Sequence, residues 1–146
     1  MKRAQAAMEF LMTYGWAILV VLVAIGALAY FGVLNPESCT IEPGIGCEDF
    51  IVRADGSAQL NVRNGIGDDL TSVTVQIGSA AATGTGVNDC SAVSWGNGDM
   101  KACTWTGLAT VTGTVGAKFK ADVVFSYTSS SGIAHTKTGV LTTKEE

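Results

Sequence analysis

Residues 5–34 read QAAMEFLMTYGWAILVVLVAIGALAYFGVL and carry a single charged side chain, Glu9. From Phe10 to Pro36 there is no Asp, Glu, Lys or Arg. At about 1.5 Å per residue a helix from Phe10 to Leu34 is about 37 Å long, enough to cross a hydrocarbon core of about 30 Å. The run is apolar on every side, so such a helix has no water-facing stripe and must be buried in lipid or among like helices. Phe10, Tyr14, Trp16, Tyr30 and Phe31 gather toward its two ends, where membrane interfaces favour aromatic rings. Ala17, Ala24, Gly26, Ala27 and Ala29 allow close backbone approach, a weak signal because small residues are common in any membrane helix.

Lys2, Arg3 and the initiator amine precede the apolar run, and basic residues are retained on the cytoplasmic side of a membrane. That orientation puts everything after Leu34 outside. Residues 37–146 are rich in Gly, Thr, Ser and Val and hold seven Lys plus Arg against twelve Asp plus Glu. A net acidic region without a basic stripe argues against nucleic acid as its main partner.

Cys39, Cys47, Cys90 and Cys103 form an even set in a compartment expected to be oxidising. Four cysteines allow three connectivities. Short separation favours the local pairings Cys39 with Cys47 and Cys90 with Cys103, each stabilising by about 2.5 to 3 kcal/mol on a chain-entropy estimate. Neither spacing resembles paired zinc knuckles, and the lone His135 supplies no partner motif. The stretch Asn97-Gly98-Asp99 and the pair Asp68-Asp69 lack the regularly spaced oxygen ligands of a calcium loop and read as turns. No metal or other cofactor is expected.

Three processing routes fit the N-terminus. An uncleaved anchor explains length and flanking charge but leaves Glu9 without a role. A secretory signal peptide finds an A-x-A pattern at Ala27-Leu28-Ala29, yet its apolar run is too long and stays apolar past the cut. The third route cuts on the cytoplasmic side, between Ala4 and Gln5, and leaves the helix on the mature chain.

The segment KRAQAAMEFLMTYGWAILVV resembles the class III signal peptide of archaeal type IV pilin-like proteins. The shared features are a short basic leader (Lys2, Arg3), a small residue (Ala4), a Gln as first mature residue (Gln5) and a Glu four residues later (Glu9). The likeness covers about the first 35 residues. Ala4 stands where the family often has Gly, and Ala7 where many members have Ser. The resemblance implies a structural subunit that polymerises through its N-terminal helix into an extracellular filament for adhesion or surface attachment. It implies as partners identical subunits, a prepilin peptidase cutting between Ala4 and Gln5, a pilus assembly ATPase and a membrane platform protein. The precursor would sit in the cell membrane with its N-terminus in the cytoplasm, and the mature subunit in a filament on the cell surface.

A carboxylate in a low-dielectric helix bundle is costly unless a cation pairs with it. Cleavage before Gln5 creates such a cation, a new α-amino group. In a filament, Glu9 of one subunit meeting the Gln5 amine of its neighbour implies an axial stagger of about one helical turn. The local alternative is a contact within one helix, since Gln5 and Glu9 are four residues apart and share a face.

Beyond Asn35-Pro36, where the helix is expected to end, hydrophobicity switches to period two. Leu60 and Val62, then Val73, Val75 and Ile77, then Val123, Phe125 and Tyr127 alternate with polar residues and predict strands. Turn signals fall at Ala54-Asp55-Gly56, at 64–68 and at 129–132, and GSAAATGTGVND (78–89) reads as a loop. The fold class expected is α+β: a leader at 1–4, a hydrophobic helix at 5–35, and at 36–146 an antiparallel β-sandwich of immunoglobulin-like type. No catalytic constellation emerges, and no enzyme is expected. His135 is a single histidine in a polar strand without a nucleophile beside it. Trp95 and Trp105 read as satellite-core residues, with exposure on a stapled, adhesive loop as the other choice. No Asn-x-Ser or Asn-x-Thr occurs, and Asn88-Asp89-Cys90 is only a rare glycosylation variant. The rival to a filament subunit is an uncleaved, membrane-anchored surface binding module.

Overall fold

The computed structural model describes residues 2–31, 36–83, 90 and 94–146. Two compact units divide after Pro36, residues 1–36 and 37–146. In the first, α1 is one continuous helix, Lys2–Tyr30, with Phe31 in the turn that follows. The expected helix end at Asn35 lies outside the described residues. At the other end the helix includes residues 2–4 and runs across the Ala4–Gln5 bond. Nothing in Lys2–Ala4 breaks a helix, so it continues to Lys2. No residue of α1 is buried, and an 18-residue window within it, of mean hydropathy 2.2, makes it apolar and long enough to cross a bilayer.

The second unit is built from antiparallel sheets. A six-stranded sheet holds β1 (Ser38–Ile41), β9 (Ala134–Lys144), β8 (Lys118–Ser129), β4 (Leu70–Ile77) and β5 (Ala80–Ala81) in that order, with β6 (Ser94–Trp95) also paired to β4. A three-stranded sheet holds β2 (Ile45–Val52), β3 (Ala58–Asn64) and β7 (Met100–Trp105). The α+β class follows directly. The stretch 78–89 differs from its reading as a loop: Ala80 and Ala81 form a short strand that folds back on Gln76 and Ile77. Its residues 84–89, with the Asn88-Asp89 pair, lie outside the described residues.

The period-two pattern sets which side of each strand is inside. Along β3 the burial alternates strictly, with Leu60 and Val62 inside, and along β8 it puts Phe119, Ala121, Val123, Phe125 and Tyr127 inward. Both sheets contribute to a single hydrophobic core, Val52, Leu60 and Trp105 from one, Ile77, Phe125 and Leu141 from the other. Trp95 and Trp105 are central to it, 0% and 1% exposed, and Trp95 meets Phe125 edge to face at 5.5 Å. Neither belongs to a satellite cluster or an adhesive loop. Burial of large aromatic surface outweighs any exposure of these rings.

One covalent link and one strand extension tie the sheets together, and a second disulfide fastens a connecting segment to β7. Cys39 in β1 is bonded to Cys47 in β2, Cα atoms 5.9 Å apart, so the bridge joins the two sheets. Cys90 is bonded to Cys103 in β7, Cα atoms 4.8 Å apart. Past β9, Glu145 bridges Val52 in parallel, and Glu146 exchanges backbone hydrogen bonds with Val52 and Ala54.

Candidate assembly and processing segment

Lys2, Arg3, Ala4, Gln5 and Glu9 all lie on α1, exposed. The first four N–H groups of a helix have no intrahelical acceptor. The Ala4–Gln5 bond therefore sits in the turn that unwinds at least cost. The helix has no acidic residue in its first turn as it stands. Removing residues 1–4 would move Glu9 to within about one turn of the new terminus, where the helix dipole favours a carboxylate.

Gln5 and Glu9 share a helix face but make no side-chain hydrogen bond or ion pair with any described residue. Thr13 Oγ1 donates to the Glu9 backbone carbonyl at 2.8 Å. That back-bond satisfies the Thr13 hydroxyl inside the apolar stretch. A groove along α1 is lined by Phe10, Tyr14, Ala17, Ile18, Val21 and Leu22, with Phe10 and Tyr14 rings 4.9 Å apart.

No protein-family model, curated protein or solved structure matches this chain. The residues themselves carry the functional reading.

In the second unit the side chains singled out by sequence take structural places. His135 is exposed and stacks on Tyr127, ring centroids 5.3 Å apart. Asp69 accepts the Asn97 amide at 2.8 Å, and Asp99 accepts the Gly96 amide at 2.9 Å, so both carboxylates close turns. Among the described residues no three His, Cys, Asp or Glu side chains converge.

Three polar groups that sequence reading passed over organise the loops. Asn64 is fully buried; its amide donates to the carbonyls of Asp68 at 2.8 Å and Gly96 at 3.0 Å, while its Oδ1 accepts the Ile66 amide at 3.1 Å. One side chain thus holds the β3–β4 and β6–β7 turns together. The Asp68 carboxylate reaches across to the β8–β9 hairpin, accepting the Ser130 hydroxyl at 2.7 Å and its amide at 3.1 Å. Those Ser130 donations lower the Asp68 pKa below the ordinary carboxylate value. The third group, Glu145, is 1% exposed and binds the 112–114 loop. Asn64-Gly65 gave a turn signal, but nothing in the sequence near Asp68 or Glu145 marks a partner 62 or 33 residues away.

Proposed function

We propose that the chain is a structural pilin subunit, held in the membrane as a precursor, cut between Ala4 and Gln5, and stacked through its N-terminal helix into an extracellular filament. The observation that carries this reading is the register Lys2-Arg3-Ala4-Gln5 with Glu9, placed at the head of a helix with no buried residue over its 29 residues. An uncovered apolar helix needs lipid or like helices around it, and a filament core provides the second once the first is left behind. Identical subunits, the processing peptidase, the assembly ATPase and its membrane platform protein are the partners. The two sheets are the layers of a β-sandwich of immunoglobulin-like type, supported by inward side chains of both in one core. The sandwich is displayed outside, where its two disulfides persist.

Glu9, whose side chain makes no hydrogen bond or ion pair with the described residues, awaits the Gln5 amine of a neighbour. Removing one member of a buried ion pair costs about 3 to 5 kcal/mol, because the other is left uncompensated. Glu9→Gln tests this: insertion and leader removal proceed, since the apolar run is untouched, while electron microscopy of cells carrying the variant finds few or no filaments. Normal filaments in normal numbers would restrict Glu9 to the local helix terminus. An uncleaved surface module differs at the first step, because its gel mobility is the same whether or not the peptidase is present.

A further inference from the structure

The antiparallel register of β8 and β9 sets Lys118 directly opposite Lys144. Lys120 lies two residues along β8 on the same side, because the intervening Phe119 and its partner Thr143 point into the core. Like charges directly opposite on neighbouring strands are destabilising. Among the described residues, none of the three lysines makes an ion pair or hydrogen bond that would relieve the repulsion. Three of the seven cations in an otherwise acidic domain are thus concentrated at one corner.

The place of that corner follows from the same register. Ser38 is opposite Thr142, and Thr142 is opposite Lys120, so these three form one row across the sheet. The lysine pair Lys118 and Lys144 is the next row out. Ser38 is where the chain enters β1, four residues after the apolar run ends at Leu34. Four residues reach at most about 14 Å. The basic corner thus lies at the end of the sheet where the chain arrives from the apolar run, whereas the β8–β9 hairpin tip at Ser130, with Asp68 against it, is at the opposite end of those strands. Of the other carboxylates near the basic end, Asp55 accepts the Ser57 amide in the β2–β3 turn, Glu145 is buried against the 112–114 loop, Glu146 lies along the outer side of β2 and β3, and Glu37, beside Ser38, is exposed and forms no ion pair with the three lysines. Asp122, two residues beyond Lys120, is the nearest acid on that strand's outward side and forms no ion pair with it.

We propose that Lys118, Lys120 and Lys144 form a docking surface for anionic phospholipid headgroups, which lays the outer domain on the membrane before assembly. The inference rests on α1 as a membrane anchor, and not on polymerisation. Each lysine near an anionic surface contributes about fivefold to the docked population, an effect that dies away within a Debye length. The rest of the domain is net acidic, with four cations against twelve carboxylates, so the corner also orients it. Headgroup phosphates offset the Lys118–Lys144 repulsion that the fold leaves uncompensated.

The test is amine acetylation of the full chain, one copy per lipid nanodisc, in discs of phosphatidylglycerol and of phosphatidylcholine. Acetylation of Lys118, Lys120 and Lys144 is expected to slow at least about fivefold in the phosphatidylglycerol discs. Lys137, whose Nζ donates to the Pro43 carbonyl at 2.8 Å, serves as the internal reference and is expected to react equally in both. The difference should vanish at 1 M salt, where screening acts within about 3 Å. In the double variant Lys118→Gln/Lys144→Gln, Lys120 should lose most of its protection without a lower melting midpoint, since the variant removes a like-charge pair. Equal rates in the two lipids, equal slowing of Lys137, or full protection of Lys120 in the double variant would overturn the proposal. Protection that arises only in assembled filaments would overturn it as well, by making a second copy the occupant. Single chains in discs keep this result readable even where filaments fail to form.

Discussion

The Glu145 carboxylate accepts the backbone amide of Thr112 at 2.7 Å, across 33 residues of chain. The Thr112 hydroxyl and the amides of Gly113 and Thr114 donate to it as well, at 3.0 to 3.2 Å. Burial raises the pKa of this carboxyl, but the donations from Thr112, Thr114 and Gly113 outweigh it and hold the group below its ordinary value of 4.5. A folded pKa below the unfolded one gives stability that is complete above the unfolded value and is lost as pH falls through the folded one. Thermal unfolding followed by circular dichroism should therefore show Glu145→Gln melting lower than the parent at neutral pH. The gap should close well below pH 4.5. A gap independent of pH would mean that packing, and not charge, is what Glu145 contributes.

Gly139 is opposite Ile41 on β1, and a Cβ built there would collide with the Thr40 carbonyl oxygen and come within 2.8 Å of the Ile41 Cα. Both obstacles are backbone and cannot rotate away. Gly139→Ala should destabilise the outer domain by about 1 to 3 kcal/mol in urea titrations, the usual cost of overpacking. Val140→Thr, next along the same strand and 38% exposed, should stay within about 0.5 kcal/mol of the parent.

Asn64→Ala deletes the amide shared by two turns and leaves the carbonyls of Asp68 and Gly96 short of a donor. The expected loss is about 1 to 3 kcal/mol. Limited proteolysis should find new cuts within 65–69 and 96–99, the segments that Asn64 pins. Unchanged digestion would make those turns self-sufficient.

Strands with strict alternation were legible from sequence because a half-buried strand repeats every two residues. Leu60 and Val62, Val73 to Ile77, and Val123 to Tyr127 all face the core where that alternation puts them. The α1 segment was legible for the opposite reason, since its apolar character has no period at all. What escaped was long-range and polar. Glu145 reads as one more surface acid near the chain end, and only folding brings the 112–114 loop to it. The role of Gly139 depends on how near β1 runs, which no local pattern encodes. The two tryptophans read as a satellite cluster because they stand beside cysteines and turns, whereas β6 and β7 carry them into the main core.

The bridge from Cys39 to Cys47 spans the two sheets, whereas that from Cys90 to Cys103 fastens a connecting segment to β7. Each closes a short loop, of sequence separation 8 and 13, and should contribute about 2.5 to 3 kcal/mol. Thermal melts with and without a reductant measure the sum, and Cys47→Ser and Cys103→Ser measure the parts. A melting midpoint indifferent to reduction would remove the bridges from the account of stability.

The central claim is that α1 becomes the free N-terminus of a filament subunit, and the intact mass of the native protein tests it most directly. The account predicts a chain that has lost Met1 to Ala4, begins at Gln5 and keeps the whole apolar helix. A mass with Lys2 and Arg3 still attached, or one that begins after Ala29, would contradict it.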